Sequence, residues 1–64
     1  MKNYLLHIDK NIRDSLFKLE KNSEKCLVVI NEAEMFLGTL SDGDVRKAIL
    51  NGVKIESSIQ SIFN

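Results

Sequence analysis

The chain has 64 residues, 44% of them hydrophobic, and its nine basic and nine acidic side chains cancel to a formal net charge of zero. That balance lacks the basic footprint of a nucleic-acid binder, and a single Cys and a single His are too few for a disulfide or a structural zinc site. A domain of this size buries only about 60% of its unfolded surface, so packing against a second copy, or against more of a longer protein, is the expected route to stability.

Tyr4-Leu5-Leu6-His7-Ile8 reads as a short strand or extended arm, with Asp9 behind it as a candidate helix cap. Polar Asn3, His7 and Asp9 stand where a signal peptide would be apolar, and the lone thiol fits a reduced, cytoplasmic protein. From about Asn11 to Asn22 the apolar residues Ile12, Leu16 and Leu19 recur at helical spacing, with Asp14 and Lys18 as an i, i+4 pair. Phe17 falls about 140° from Ile12 around that helix, among Arg13 and Glu20, and is a candidate contact with another subunit or domain.

After the polar break Asn22-Ser23-Glu24-Lys25, the run Cys26-Leu27-Val28-Val29-Ile30 predicts a strand covered on both faces. It is the longest apolar run and far too short to cross a bilayer. Asn31-Glu32-Ala33-Glu34 predicts a turn, and Met35 to Leu40 the returning arm of a hairpin. Ser41 opens a second helix with Val45, Ala48 and Ile49 inward, Arg46 and Lys47 toward solvent or ligand, and Asn51-Gly52 as its stop. Asp42 supports Arg46 at i, i+4. Ser57 or Ser58 caps a final turn whose Ile59, Ile62 and Phe63 share a face, and the sequence stops as though cut from something longer. The order predicts a small α+β sheet with both helices on one face.

Chemistry concentrates at the strand-to-helix junction from Gly38 to Leu50. Ser41 and Asp44, three apart, fit a ligand grip in which a hydroxyl and a carboxylate meet a sugar while unbonded helical N–H groups face a phosphate. The same spacing fits a capping box, and the two coexist only if Asp44 also turns its carboxylate outward. Asp42-Gly43-Asp44 is followed by Arg46 and Lys47 rather than by the oxygen ligands of a calcium loop, and Gly38-Thr39-Leu40-Ser41 lacks the Gly-Lys pair of a P-loop. His7 and Cys26 have no orienting acid in sequence, so no catalytic and no metal residues are expected.

Leu27 to Glu32 followed by Phe36-Leu37-Gly38-Thr39-Leu40-Ser41-Asp42-Gly43-Asp44-Val45-Arg46-Lys47-Ala48 resembles a CBS domain, most specifically in Gly38-x-x-Ser41-x-x-Asp44. Ser-Asp-Gly-Asp-Val-Arg-Lys-Ala is similar to CBS repeats that precede bacterial sugar-phosphate nucleotidyltransferase domains. The resemblance implies a β-α-β-β-α unit over residues 1–64, a single repeat of a longer protein that pairs with a second repeat or another copy of itself. It implies regulatory binding of AMP, ADP or ATP, with Ser41 on phosphate or ribose and Asp44 on the ribose diol. Leu40, Arg46, His7 and Val28 complete the implied nucleotide-binding set, with no membrane partner. The competing reading is an assembly module that binds no nucleotide, held together by the sheet face and Phe17.

Overall fold

The computed structural model describes residues 4–63, so both ends of the 1–64 unit lie outside the described residues. Its elements are β1 (Leu5–His7), α1 (Ile12–Glu20), β2 (Cys26–Ile30), β3 (Phe36–Ser41), α2 (Asp42–Leu50) and a short 3-10 turn, Ile59–Ser61. The sheet order is β1-β2-β3. β1 runs parallel to β2, joined through α1, while β2 and β3 form an antiparallel hairpin with an irregularity between Val29 and Ile30.

Strand alternation sends Leu6, Leu27, Val29 and Leu40 to the same face, where they join Ile12, Leu19, Val45, Ala48 and Ile59 in one core. Both helices therefore cover a single face, as the α+β reading expects. The expectation that β2 is covered on both faces is corrected. Leu27 and Val29 are fully buried, but Cys26 and Val28 are only half-buried, because no layer among the described residues covers the opposite face. By register that open face carries Leu5 and His7 of β1, Cys26 and Val28 of β2, and Thr39 and Ser41 of β3.

The first helix is capped by Asn11, not Asp9. Asn11 accepts from the Asp14 N–H at 2.9 Å, and Asp14 Oδ2 accepts from the Asn11 N–H at 3.2 Å. An Asn-x-x-Asp box satisfies two otherwise orphaned amides, which Asp9, two residues too early, could not reach. Its buried stripe is Ile12, Ser15 and Leu19, with the Ser15 hydroxyl donating to the Ile12 carbonyl at 2.6 Å. Leu16, expected inward, is 37% exposed, and Ile49 of α2 is 39% exposed for the same reason. Each sits about 40° past the buried residue four before it, on the side away from the buried i+3 position, and so tips out of the seam.

Among the described residues two non-glycine residues adopt left-handed backbone: Lys25 at φ 57° before β2 and Glu34 at φ 61° in the hairpin turn. The turn is held by the Asn31 side chain, which accepts from the N–H groups of Ala33 at 2.9 Å and Met35 at 3.0 Å. Gly52 at φ 93° ends α2 as expected. Ser58, rather than Ser57, caps the 3-10 turn, accepting from the Gln60 N–H at 3.0 Å. Ile59 is buried there, and Ile62 and Phe63 pack against the core.

Candidate functional site

β3 passes into α2 with no intervening loop, so Ser41 is both the last strand residue and the helix cap. Its backbone stays extended, with φ −96° and ψ 165°, which aims its hydroxyl back at the first turn. Ser41 Oγ accepts from the Asp44 N–H at 3.0 Å, and Asp44 Oδ2 accepts from the Ser41 N–H at 2.9 Å. Capping is thus realised. It leaves chemistry to spare, because a carboxylate offers about four lone-pair sites and a hydroxyl both donates and accepts.

The expectation of several unbonded helical N–H groups is corrected. The Asp42 N–H donates to the Lys25 carbonyl at 3.0 Å, and that of Asp44 is taken by Ser41. Of the first three amides of α2, only that of Gly43 has no acceptor among the described residues. The left-handed Lys25 backbone delivers its carbonyl to the helix start, a contact without a local sequence signal because its partners lie 17 residues apart (42 − 25 = 17). An exposed helix start with one open amide still favours an anion, by about 1 kcal/mol or less.

Asp44 also lines a shallow recess of about 240 Å³ with Lys47, Ala48, Asn51 and Ile62. One side chain from the cap thus reaches a concave surface shared by α2 and the C-terminal segment. Arg46 pairs with Asp42 one helical turn earlier, at a largely exposed position. Such surface pairs contribute about 0.5 kcal/mol or less, so Asp42 does not hold the guanidinium against a stronger anion.

The remaining residues named from sequence divide by face. Val28 lies in the middle of the open face, flanked by Leu5 and Thr39, and His7 lies at the end of β1 opposite Ile30. His7 Nδ1 is 3.7 Å from Asp9 Oδ1. Ser41 shares that face directly opposite Cys26. Leu40 alternates to the other side and is fully buried in the core, so it offers a ligand only its backbone. Phe17 is 59% exposed on the helix layer, across the sheet from the open face. Sequence reasoning passed over Cys26, Thr39 and Leu5, which pave the surface beside Ser41 and Val28. Period-two alternation locates them once the hairpin register is known.

His7 and Cys26 stand at opposite ends of the β1–β2 ladder, with His7 level with Ile30, so about 13 Å of strand separates them. Among the described residues no three His, Cys, Asp or Glu side chains are grouped to hold a metal ion. No described helix is long and apolar enough to cross a membrane.

No family model matches the sequence. A segment of 50 residues is 36% identical to an uncharacterised protein of Helicobacter pylori, covering 78% of this chain and 15% of that protein. Structural similarity is far broader. A CBS domain protein of Pyrobaculum aerophilum complexed with AMP superimposes with a TM-score of 0.85 at 19% identity, over 94% of this chain and 47% of that one. CbpB in complex with c-di-AMP gives a TM-score of 0.81 at 18% identity, over 94% of this chain and 43% of that one. The chain spans about half the length of these structures and a small part of its curated relatives. It has the fold of a CBS domain.

Proposed function

We propose that this unit is one half of an adenine-nucleotide sensor whose occupancy regulates an enzyme in the same polypeptide. In this reading the Asp44 carboxylate accepts from the ribose hydroxyls, and Ser41 and the Gly43 N–H meet phosphate. Val28 and His7, with the backbone of Leu40, border the nucleoside, and Arg46 exchanges Asp42 for phosphate. The observation that carries the proposal is the reciprocal Ser41–Asp44 cap, set beside an uncovered sheet face in a fold shared with an AMP complex.

A second unit, from the same chain or from another copy, supplies the missing wall. Covering the open face removes half-buried apolar area from water at about 25 cal/mol per Å², the stabilisation a 64-residue unit needs. The attached enzyme we propose is a cytoplasmic sugar-phosphate nucleotidyltransferase, on the likeness of residues 41–48 to repeats that precede such domains. Regulation then follows from linkage, since a nucleotide gripped between two units favours whichever arrangement of the pair grips it better.

Calorimetric titration with AMP, ADP and ATP tests the sensor reading. Saturable heat with any of the three supports it, and none at millimolar concentration sinks it. The second reading, an assembly module without nucleotide, is favoured by the exposed Phe17 ring. It requires self-association that nucleotide does not alter.

A further inference from the structure

The segment after α2 folds back over the rest of the chain. Val53 N–H donates to the Ala48 carbonyl at 3.0 Å, and the following residues run against the start of α1. There the Ile12 N–H donates to the Ser57 carbonyl at 3.0 Å and the Arg13 N–H to the Ile55 carbonyl at 2.9 Å. In return the Ile59 N–H donates to the Lys10 carbonyl at 3.1 Å, and Asn11 and Ser58 form an isolated antiparallel bridge. The Arg13 guanidinium lies 3.1 Å from the Glu56 carboxylate.

The first amides of a helix have no acceptor within it. Here the C-terminal segment provides acceptors for the Ile12 and Arg13 amides, so backbone hydrogen bonds tie the β1–α1 junction to residues 55–59. Farther along, Ile59 is fully buried in the core and Ile62 stands in the recess beside Asp44. One segment therefore touches both borders of the proposed nucleotide site, the junction just beyond His7 and the Asp44 end of α2.

We infer that residues 53–63 form a strap that couples these two borders and is held closed by bound nucleotide. The inference rests on the nucleotide-sensing reading above. Opening the strap breaks the backbone bonds at Ile12, Arg13 and Ile59 and exposes Ile59, an opening local to this segment. A ligand that requires both borders in place binds only the closed state and shifts the population toward it. By linkage, loosening the strap weakens the ligand as far as it lowers the closed fraction.

The test is amide hydrogen exchange of the full chain, read at Ile12, Arg13 and Ile59, with AMP, ADP or ATP and a parallel calorimetric titration. With nucleotide at about ten times its Kd, exchange at these amides slows about tenfold, while that of Glu34 in the distant hairpin turn is unchanged. Arg13→Glu, which sets like charges against Glu56, speeds ligand-free exchange at Ile12 and Ile59 about two- to fivefold, and adding Glu56→Arg restores it. Saturable binding with unchanged exchange at the three amides, or exchange at Ile12 and Ile59 indifferent to the Arg13→Glu change, overturns the strap and leaves the sensor standing. No saturable binding overturns both.

Discussion

Ser41 and Asp44 hold each other through two opposed hydrogen bonds of 3.0 and 2.9 Å, and Asn11 and Asp14 do the same at the other helix. Both helices are nine residues long and both carry this box. The molecule thus contains its own control. One cap lies beside the uncovered sheet face, and the other lies under the C-terminal segment, where the amides of Ile12 and Arg13 already have acceptors.

Removing a cap hydroxyl leaves the Asp44 amide without its partner. Ser41→Ala is expected to cost about 1 kcal/mol, which for a domain of this size lowers Tm by about 4–8 °C. Thermal unfolding followed by circular dichroism checks this. An unchanged Tm would mean that the cap contributes nothing to stability.

Two left-handed turn positions, Glu34 and Gly52, predict shifts of opposite sign. Glu34 holds φ 61° with a side chain that disfavours it, so Glu34→Gly is expected to stabilise by up to about 1 kcal/mol. Gly52→Ala forces a β-carbon onto a residue at φ 93° and should destabilise by about 1 kcal/mol, although nothing crowds the site. Denaturant midpoints of both variants are the measurement. Equal and same-signed shifts would contradict the backbone argument.

Gly43 differs from Gly52. Its φ is not in the left-handed region, and an added β-carbon would meet only Ser41 Oγ at an ordinary 3.7 Å. Gly43→Ala should therefore fold with equal or greater stability, by up to about 1 kcal/mol from helix propensity. If phosphate approaches the Gly43 amide, the same substitution weakens nucleotide binding while Tm holds or rises. A stabilised variant with unaltered affinity would exclude that amide from the site.

Phe17 tests the assembly reading. Its ring is mostly exposed, so Phe17→Asp should shift Tm by no more than a few degrees, about 0.5 kcal/mol in stability. Light scattering then decides. A fall in mass places Phe17 between subunits, and an unchanged mass removes it.

Much of the fold was legible because apolar runs and breaks map onto elements whose kind depends on local periodicity. The hairpin, both helices and the Gly52 stop follow from the apolar runs 26–30 and 35–40, the helical spacing of Ile12 and Leu19 and of Val45 and Ala48, and the left-handed backbone that Gly52 permits. Asp9 is a candidate cap by residue type alone, whereas the Asn11 cap shows only when its reciprocal partner Asp14 is weighed with it. Leu16 and Ile49 were expected inward because a stripe read at i and i+4 does not show which side of the seam is packed. The acceptor that Lys25 brings to α2, and the one that Ser57 brings to α1, depend on tertiary approach and leave no local pattern. At the site itself the Ser41–Asp44 spacing predicted their contact. That Ser41 and Val28 share a sheet face required the register.

The central claim is most directly tested by nucleotide affinity in two matched variants, Asp44→Ala and Asp14→Ala. Each deletes the carboxylate of a reciprocal cap from a nine-residue helix, so their costs in stability should be similar. By titration calorimetry on folded protein, the account predicts that Asp44→Ala weakens adenine-nucleotide binding about tenfold or more, as expected for loss of a charged hydrogen-bond acceptor. Asp14→Ala should stay within about twofold of the parent chain, a difference of about 0.4 kcal/mol. Equal affinities in the two variants, or no binding by the parent chain, would contradict it.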